Sequence, residues 1–329
     1  MRIVLCYPLE SRHLEQIALI APAAEIIDAG QEHIANEIHE ADIFCGHAKV
    51  PVDWDHVVRA DRLRWIQSTA AGLDHCLVPS VINSRIVVSS ASGLLADQVA
   101  EQTLALLMGL CRSLPTFFDA QRRREFIRRP TRDIHHATIG IVGLGGNGRR
   151  LVEVFRPLKV RILATDYFPF DPPEGVEALW PPGRLDELLS ASDIVILTAP
   201  LNATTRGMID HRSLATMKRG ALLINVARGP LVVEKDLVAA LRSGHLGGAG
   251  LDVTEQEPLP SDSELWDMPN VIITPHVGGQ SARRIDDATD FFCHNLRRHI
   301  AGKSPVNLVD KQLGFPIRYP LGDAPHGRL

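Results

Sequence analysis

The stretch IGIVGLGGNGRRLVEVF, residues 139–155, passes from an apolar, β-branched run through a glycine turn into a helical pattern. Its glycines follow the spacing Gly143-x-Gly145-x-x-Gly148, and the next apolar run ends in Asp166. A strand, a tight glycine turn, a helix and a second strand ending in an acid form the setting in which this spacing binds a dinucleotide. The stretch therefore predicts a Rossmann-type domain.

The glycine turn and the acid that follows the next strand predict which dinucleotide is bound. The glycines let the backbone approach a pyrophosphate, and the helix N-terminus offers free N–H groups and the positive end of its dipole. Asp166 can accept hydrogen bonds from the adenosine ribose hydroxyls and would repel a 2′-phosphate. The following Tyr167 and Phe168 carry no compensating positive charge. These residues favour NAD over NADP.

Short apolar runs alternate with helical patterns along the chain. Runs that are apolar on both faces and separated by helices indicate parallel sheets covered by helices on each side. Two sets of runs therefore predict two such sheets. The predicted strands of the first set are 2–8, 24–29, 41–46, 63–69 and 85–90, and those of the second are 137–143, 161–166, 193–200, 221–227, 248–253 and 271–276.

A long helical run, residues 94–114, separates the two sets of strands. Its apolar positions cover nearly the whole helix circumference, so we expect it to be buried between two domains or in a subunit interface. A second long helix is predicted over 281–302, and the chain after it is expected to cross back to the first domain. The final segment, 315–329, is rich in proline and glycine and is expected to be irregular. The predicted domains are a discontinuous substrate domain, 1–97 plus 286–329, and an NAD-binding domain, 98–285.

Composition excludes several classes of partner. The chain has 329 residues with 35 basic and 39 acidic side chains, so no global field favours nucleic acid or an anionic membrane. The basic cluster at 122–130 is interpreted as a solvated surface. The five cysteines are scattered without metal-type spacing, which predicts buried free thiols, no metal site and a reducing compartment. The sequence has no bilayer-length apolar segment, and the N-terminal apolar run is too short for a signal peptide, so a cytoplasmic location is expected.

Three polar residues follow different strands of the second set. They are Arg228, Glu257 and His276. Each alone has an ordinary explanation: Arg228 as a loop cap, Glu257 as a solvated acid and His276 as a histidine at a strand end. Ligands of open α/β sheets bind beyond the carboxyl ends of the strands, so all three beside a dinucleotide turn indicate an active site.

The order and spacing of seven motifs resemble the D-isomer-specific 2-hydroxyacid dehydrogenase family. The resemblance implies two doubly wound α/β domains, a Rossmann NAD-binding domain and a smaller flavodoxin-like substrate domain, with a cleft between. It also implies a homodimer that interconverts a small 2-oxo acid and the D-2-hydroxy acid. The motifs are STAAGLDH, ADQVAEQTLALL, GLGGNG, TAPLNATTRGMI, NVARGP, GLDVTEQEP and TPHVGG.

The resemblance also assigns roles to individual residues. Arg228 would clamp the substrate carboxylate through paired N–H donors, and His276 would act as acid and base. Glu257 would orient the His276 ring and stabilise its imidazolium form. The backbone amides of Ala71 and Gly72 would hold the carboxylate from the first domain. The implied cofactor contacts are Gly143, Gly145, Gly146, Asn147, Gly148, Asp166, Ala199, Pro200, Thr205, Val226, Ala227, Asp252 and Gly278.

The chain departs from the family pattern in three respects, and other functions stay open. Asn147 replaces an aliphatic residue, and Ser90-Ala91-Ser92 stands where Asn-Thr-Pro is usual. No room is expected for the regulatory domain of many phosphoglycerate dehydrogenases. Phosphoglycerate dehydrogenase itself and a non-catalytic NAD(H) sensor or corepressor are the alternatives. Formate dehydrogenase is disfavoured because that relative has glutamine in place of Glu257.

Overall fold

A computed structural model describes residues 1–317, in which strands and helices alternate. The strands are β1 (Arg2–Cys6), β2 (Glu25–Asp28), β3 (Ile43–Gly46), β4 (Trp65–Ser68), β5 (Val87–Ser89), β6 (Thr138–Val142), β7 (Arg161–Thr165), β8 (Val176–Trp180), β9 (Ile194–Leu197), β10 (Leu222–Asn225), β11 (Gly248–Leu251), β12 (Val271–Ile273), β13 (Val309–Asp310) and β14 (Phe315–Pro316). The helices are α1 (Ser11–Ile20), α2 (Gly30–Glu37), α3 (Trp54–Arg59), α4 (Pro79–Ile82), α5 (Ala96–Cys111), α6 (Leu114–Arg122), α7 (Gly146–Phe155), α8 (Leu185–Ala191), α9 (His211–Thr216), α10 (Glu234–Arg242) and α11 (Arg284–Ile300).

The chain divides into two compact units. Of the described residues, the first unit contains 1–95 and 281–317, and the second contains 96–280. The division falls just before α5 and three residues before α11. The limits expected from the sequence, at 97/98 and 285/286, fall inside these two helices instead.

The first unit is built on a five-stranded parallel sheet in the order β2-β1-β3-β4-β5. This is the flavodoxin-like doubly wound order, which confirms the expected fold class. Every residue of β3 and β4 is buried, because helices cover both faces of the sheet. All five strands predicted for this region form.

The end of the described chain returns to the first unit's sheet through buried polar contacts. Asn295 of α11 donates to Gln67 Oε1 of β4 at 2.8 Å, and Asn307 donates to the backbone carbonyls of Ser90 and Ser92. The Ser90–Ser92 segment is thereby fixed by the returning chain. The segment expected to be irregular begins with β14, which pairs antiparallel with β13; residues 318–329 of that segment lie outside the described residues.

The second unit is built on a seven-stranded parallel sheet in the order β12-β11-β10-β9-β6-β7-β8. Counted from β6, this is the Rossmann order extended by one strand at the β12 edge. The six predicted strands all form, and β8 is an additional strand at the opposite edge. Helix α5 packs against β10, β11, β12 and α7 of the same unit.

Three further sequence predictions concern thiols, membranes and metals. All five cysteines are buried and free, as predicted. Within residues 1–317 no helix combines the length and apolar character needed to cross a membrane. The same residues contain no group of three or more histidine, cysteine or acidic side chains placed to hold a metal ion.

Candidate active site

The glycine turn between β6 and α7 is folded tightly against the end of β9. Gly143 has φ of +95°, and a Cβ added there would lie 2.7 Å from the Cα of Ala199. A Cβ at Gly148 would overlap the carbonyl oxygen of Gly143. The Thr198 hydroxyl donates to that same carbonyl at 2.5 Å. A side chain at either glycine would therefore open the turn.

The N-terminus of α7 is left without a side-chain cap. Gly145 is the N-cap residue and has no side chain, and the helix begins at Gly146. Asn147 and Gly148 continue the first turn, and the Asn147 side chain forms no hydrogen bond within residues 1–317. The first N–H groups of the helix and the positive end of its dipole can therefore bind a pyrophosphate.

Asp166 directly follows β7 and contacts the glycine turn. Its Oδ2 accepts a hydrogen bond from the Leu144 backbone at 2.6 Å, and its Oδ1 accepts one from the Phe168 backbone at 2.9 Å. The carboxylate thus holds the turn as well as facing the cofactor end of the sheet. A contact of Asp166 with the adenosine ribose stays a prediction.

The loop after β9 contains three of the predicted cofactor residues, Ala199, Pro200 and Thr205. The Thr205 hydroxyl donates to the Pro200 carbonyl at 2.7 Å and accepts from the Asn202 backbone at 2.8 Å. This hydroxyl is therefore used inside the loop. A direct contact of Thr205 with the cofactor stays a prediction.

Arg228 lies in a turn after β10 that is fixed by the buried side chain of Asn225. The Asn225 amide donates to the Arg228 carbonyl at 2.9 Å and accepts from the Ala227 backbone at 3.1 Å. The Arg228 guanidinium donates to the Ala227 carbonyl at 2.7 Å. Val226 and Ala227 are buried, so the turn is rigid on its inner side. The role of Asn225 was not predicted, although asparagine at a strand end is a known turn signal.

Gly229 brings the Arg228 turn against the loop after β11. A Cβ at Gly229 would overlap the carbonyl group of Thr254. We expect Gly229→Ala to displace Arg228 and to lower kcat/KM at least about 100-fold, since small misplacements of catalytic groups have effects of this size. Steady-state kinetics check the prediction, with Gly183→Ala, at an exposed position with open space around it, as the control. Activity of Gly229→Ala equal to that of the control would contradict it.

His276 and Glu257 form a hydrogen-bonded pair. The His276 Nδ1 and the Glu257 Oε2 are 2.8 Å apart, and Glu257 Oε1 accepts from the Thr254 backbone at 3.3 Å. The two side chains are 46% and 40% exposed, so the pair can be reached by a small molecule. Within the part of the chain that the structure describes, His276 Nε2 forms no hydrogen bond, which leaves this nitrogen able to exchange a proton with a substrate.

Asp252 is 2% exposed and organises the turn that contains His276. Its Oδ1 accepts from the Thr274 hydroxyl at 2.6 Å and from the Val277 backbone at 3.0 Å. Its Oδ2 accepts from the Gly278 backbone at 2.8 Å. Most of the hydrogen-bond-accepting capacity of the Asp252 carboxylate is therefore used by the protein. The expected contact of Asp252 and Gly278 with the cofactor stays a prediction.

Arg228, Glu257 and His276 follow β10, β11 and β12, which are adjacent in the sheet. The glycine turn and Asp166 follow β6 and β7 at the same carboxyl edge. The sheet topology thus places the predicted catalytic and cofactor residues of the second unit along one edge.

The predicted substrate loop belongs to the first unit and follows β4. The Ser68 hydroxyl and the Ala70 backbone hydrogen-bond each other, which closes the start of the loop. Among residues 1–317 the backbone amides of Ala71 and Gly72 form no hydrogen bond. Two such amides can bind a carboxylate, and this role stays a prediction.

Comparison with known proteins gives concordant matches. Residues 104–278 match the family described as D-isomer specific 2-hydroxyacid dehydrogenase, NAD binding domain. The chain is 33% identical over 290 residues to a glycerate dehydrogenase of Methylorubrum extorquens, covering 85% of this chain and 88% of that protein. It is 37% identical over 255 residues to an (S)-sulfolactate dehydrogenase of Chromohalobacter salexigens, covering 75% and 81%.

Solved structures give a similar match over nearly the whole chain. A D-isomer specific 2-hydroxyacid dehydrogenase from Xanthobacter autotrophicus Py2, in complex with NADPH and MES, has a TM-score of 0.82 and 29% sequence identity. The match covers 95% of this chain and 99% of that chain.

Proposed function

The chain belongs to the D-isomer-specific 2-hydroxyacid dehydrogenase family, and on that premise we propose that it reduces a small 2-oxo acid to the D-2-hydroxy acid with NADH. The second unit is the NAD-binding domain and the first is the substrate domain. The observation that carries the proposal is the His276–Glu257 pair at 2.8 Å. Glu257 follows β11, which lies between the strands that precede Arg228 and His276.

The residues of the second unit fit a dinucleotide. The uncapped N-terminus of α7 would bind the pyrophosphate, and Asp166 would bind the adenosine ribose. The backbone is closely packed at Gly143 and Gly148, and neither residue has a side chain that would obstruct the cofactor. When bound, the cofactor supplies the hydride that reduces the substrate carbonyl.

The protein residues supply binding, charge and the proton. Arg228 binds the substrate carboxylate through two N–H groups and draws electron density from the adjacent carbonyl. His276, as imidazolium, donates a proton from Nε2 to the carbonyl oxygen, on which negative charge develops. Glu257 holds the ring through Nδ1 and stabilises its positive charge. In the oxidation direction His276 takes the proton back.

A screen of 2-oxo acids tests the proposal. NADH oxidation is followed with glyoxylate, hydroxypyruvate, pyruvate and 3-sulfopyruvate, and the configuration of the product is determined for the last three, since glycolate is achiral. We expect turnover of at least one acid and the D configuration in each chiral product. NADH binding without turnover on any acid would favour a non-catalytic sensor.

The preference for NADH is testable at Asp166. We expect Asp166→Asn to raise the ratio of kcat/KM with NADPH to kcat/KM with NADH at least about tenfold, because juxtaposed like charges cost several kcal/mol. Part of the NADH affinity should also be lost, since Asp166 holds the Leu144 backbone. Asp171→Asn, in the same loop, is the control. A wild-type protein that prefers NADPH would contradict this assignment, and the relative from Xanthobacter autotrophicus was solved with NADPH.

We further propose a cytoplasmic homodimer. Leu114 and Phe118 of α6 and the following Phe126 are 37%, 53% and 97% exposed. Large exposed apolar side chains in one short segment of the chain favour a surface that a second copy covers. Five buried free thiols are typical of a reducing compartment. Light scattering should give twice the 36.2 kDa of one chain, and a monomer at micromolar concentration would contradict the dimer.

A further inference from the structure

His276 has a backbone conformation that must be held by its surroundings. Its φ is +54°, in the left-handed region that residues other than glycine seldom adopt. Three successive backbone amides donate to one residue, Asp252. The His276 amide donates to its carbonyl at 2.7 Å, and the amides of Val277 and Gly278 donate to its carboxylate. Asp252 therefore determines the path of the chain at His276.

The buried carboxylate of Asp252 is in turn held by a hydrogen-bond chain from α5. The Thr274 hydroxyl donates its single proton to Asp252 Oδ1 at 2.6 Å. Gln102 Nε2 lies 2.8 Å from the same hydroxyl, so it must be the donor in that contact. If Asp252 lost the hydrogen bond from Thr274, its buried carboxylate would be held less firmly in its observed position.

The fit around this chain of contacts is close. A Cβ added at Gly278 would lie 2.8 Å from Asp252 Oδ2 and 3.6 Å from the Gln102 side chain. Gln102 is on α5, which packs against β12, the strand that precedes Thr274. The position of the turn is thus tied to a helix 172 residues away in the sequence.

We propose that Thr274 and Gln102 are positioning residues for His276 and that they act through Asp252. The inference rests on the proposed function, because it gives His276 the role of proton donor. Within residues 1–317 the side-chain hydrogen bonds of Thr274 and Gln102 are with each other and with Asp252, so we expect both residues to act on the geometry of the His276 turn.

The test compares two substitutions of Thr274. Thr274→Val keeps the shape and removes the hydroxyl, and Thr274→Ser keeps the hydroxyl. We expect Thr274→Val to lower kcat about 10- to 100-fold, as for a misplaced catalytic group. The dissociation constant for NADH should rise by a smaller factor, since Asp252 and Gly278 are also predicted cofactor contacts. Thr274→Ser should restore kcat to within about threefold of wild type. Equal kcat for Thr274→Val and wild type, or equal loss in the valine and serine variants, would overturn the proposal.

A second variant and a second readout keep the test independent of folding and of turnover. Gln102→Leu should lower kcat in the same direction if Thr274→Val does not fold. The ¹³Cε1–¹Hε1 NMR signal of His276, assigned by its absence in His276→Asn, should shift in Thr274→Val and Gln102→Leu but not in Thr274→Ser. Thr216→Val, whose hydroxyl bonds its own helix α9, is the control.

The two readouts separate this proposal from the proposed function. If the wild-type protein reduces no 2-oxo acid but the NMR shifts follow the expected pattern, the positioning role is supported and the proposed function is wrong. If turnover is found but neither substitution changes kcat or the NMR signal, the positioning role is wrong and the proposed function stands.

Discussion

His276→Asn is expected to lower kcat for 2-oxo acid reduction by about 10³-fold, within the 10²- to 10⁴-fold that general acid catalysis contributes. Asparagine tolerates the left-handed conformation that this position requires, so the backbone turn should survive. Its amide can donate a hydrogen bond but cannot release a proton. NADH binding should therefore be retained while the chemical step is lost, which fluorescence titration and steady-state kinetics measure separately.

The chain offers a matched control for this substitution. His211 also lies near a carboxylate, with its Nδ1 3.8 Å from Asp236, but it is on α9. His211→Asn should keep kcat within about twofold of wild type, as expected for a surface substitution. A loss of less than tenfold in His276→Asn, or an equal loss in both variants, would show that His276 is not the proton donor.

The strands of both sheets other than β8 could be predicted because each is a continuous apolar run. Because helices cover both faces of a parallel sheet, its strands are apolar on both sides and do not alternate between polar and apolar residues. A continuous apolar run is therefore the pattern that predicts such a strand. β8 lacks this signal because its sequence, VEALW, includes the exposed Glu177 and the strand lies at a sheet edge. The predicted strands of the second set extend past the observed ones because their last residues turn into the loops that contain the candidate site.

The candidate catalytic side chains could be expected at neighbouring strand ends because they follow strands, and the order of strands in a doubly wound sheet determines which strand ends are adjacent. The residues that support them could not be located. Asn225 acts through the backbone of the Arg228 turn, and Gln102 contacts Thr274 across 172 positions of sequence. A single sequence does not show which distant segments of the chain lie close together in the fold. The bonds from Asp252 to the His276 turn were not predicted either, and its contact with the cofactor stays a prediction.

Arg228→Lys is expected to lower kcat/KM for the 2-oxo acid by about 10²- to 10³-fold, since removing one partner of a charged, hydrogen-bonded pair costs about 2–5 kcal/mol. Lysine keeps the positive charge but presents a point charge on a flexible stem in place of a planar fork, so it cannot donate two parallel hydrogen bonds to a carboxylate. It also cannot reproduce the bond from the guanidinium to the Ala227 carbonyl, which holds the side chain beside its own turn. KM for the acid should rise and kcat should fall, while the dissociation constant for NADH stays the same. Arg219→Lys, at an exposed turn before β10, is the control and should change neither KM for the acid nor kcat. If Arg228→Lys kept the wild-type KM, the carboxylate would have to be bound elsewhere and the role of Arg228 would be structural.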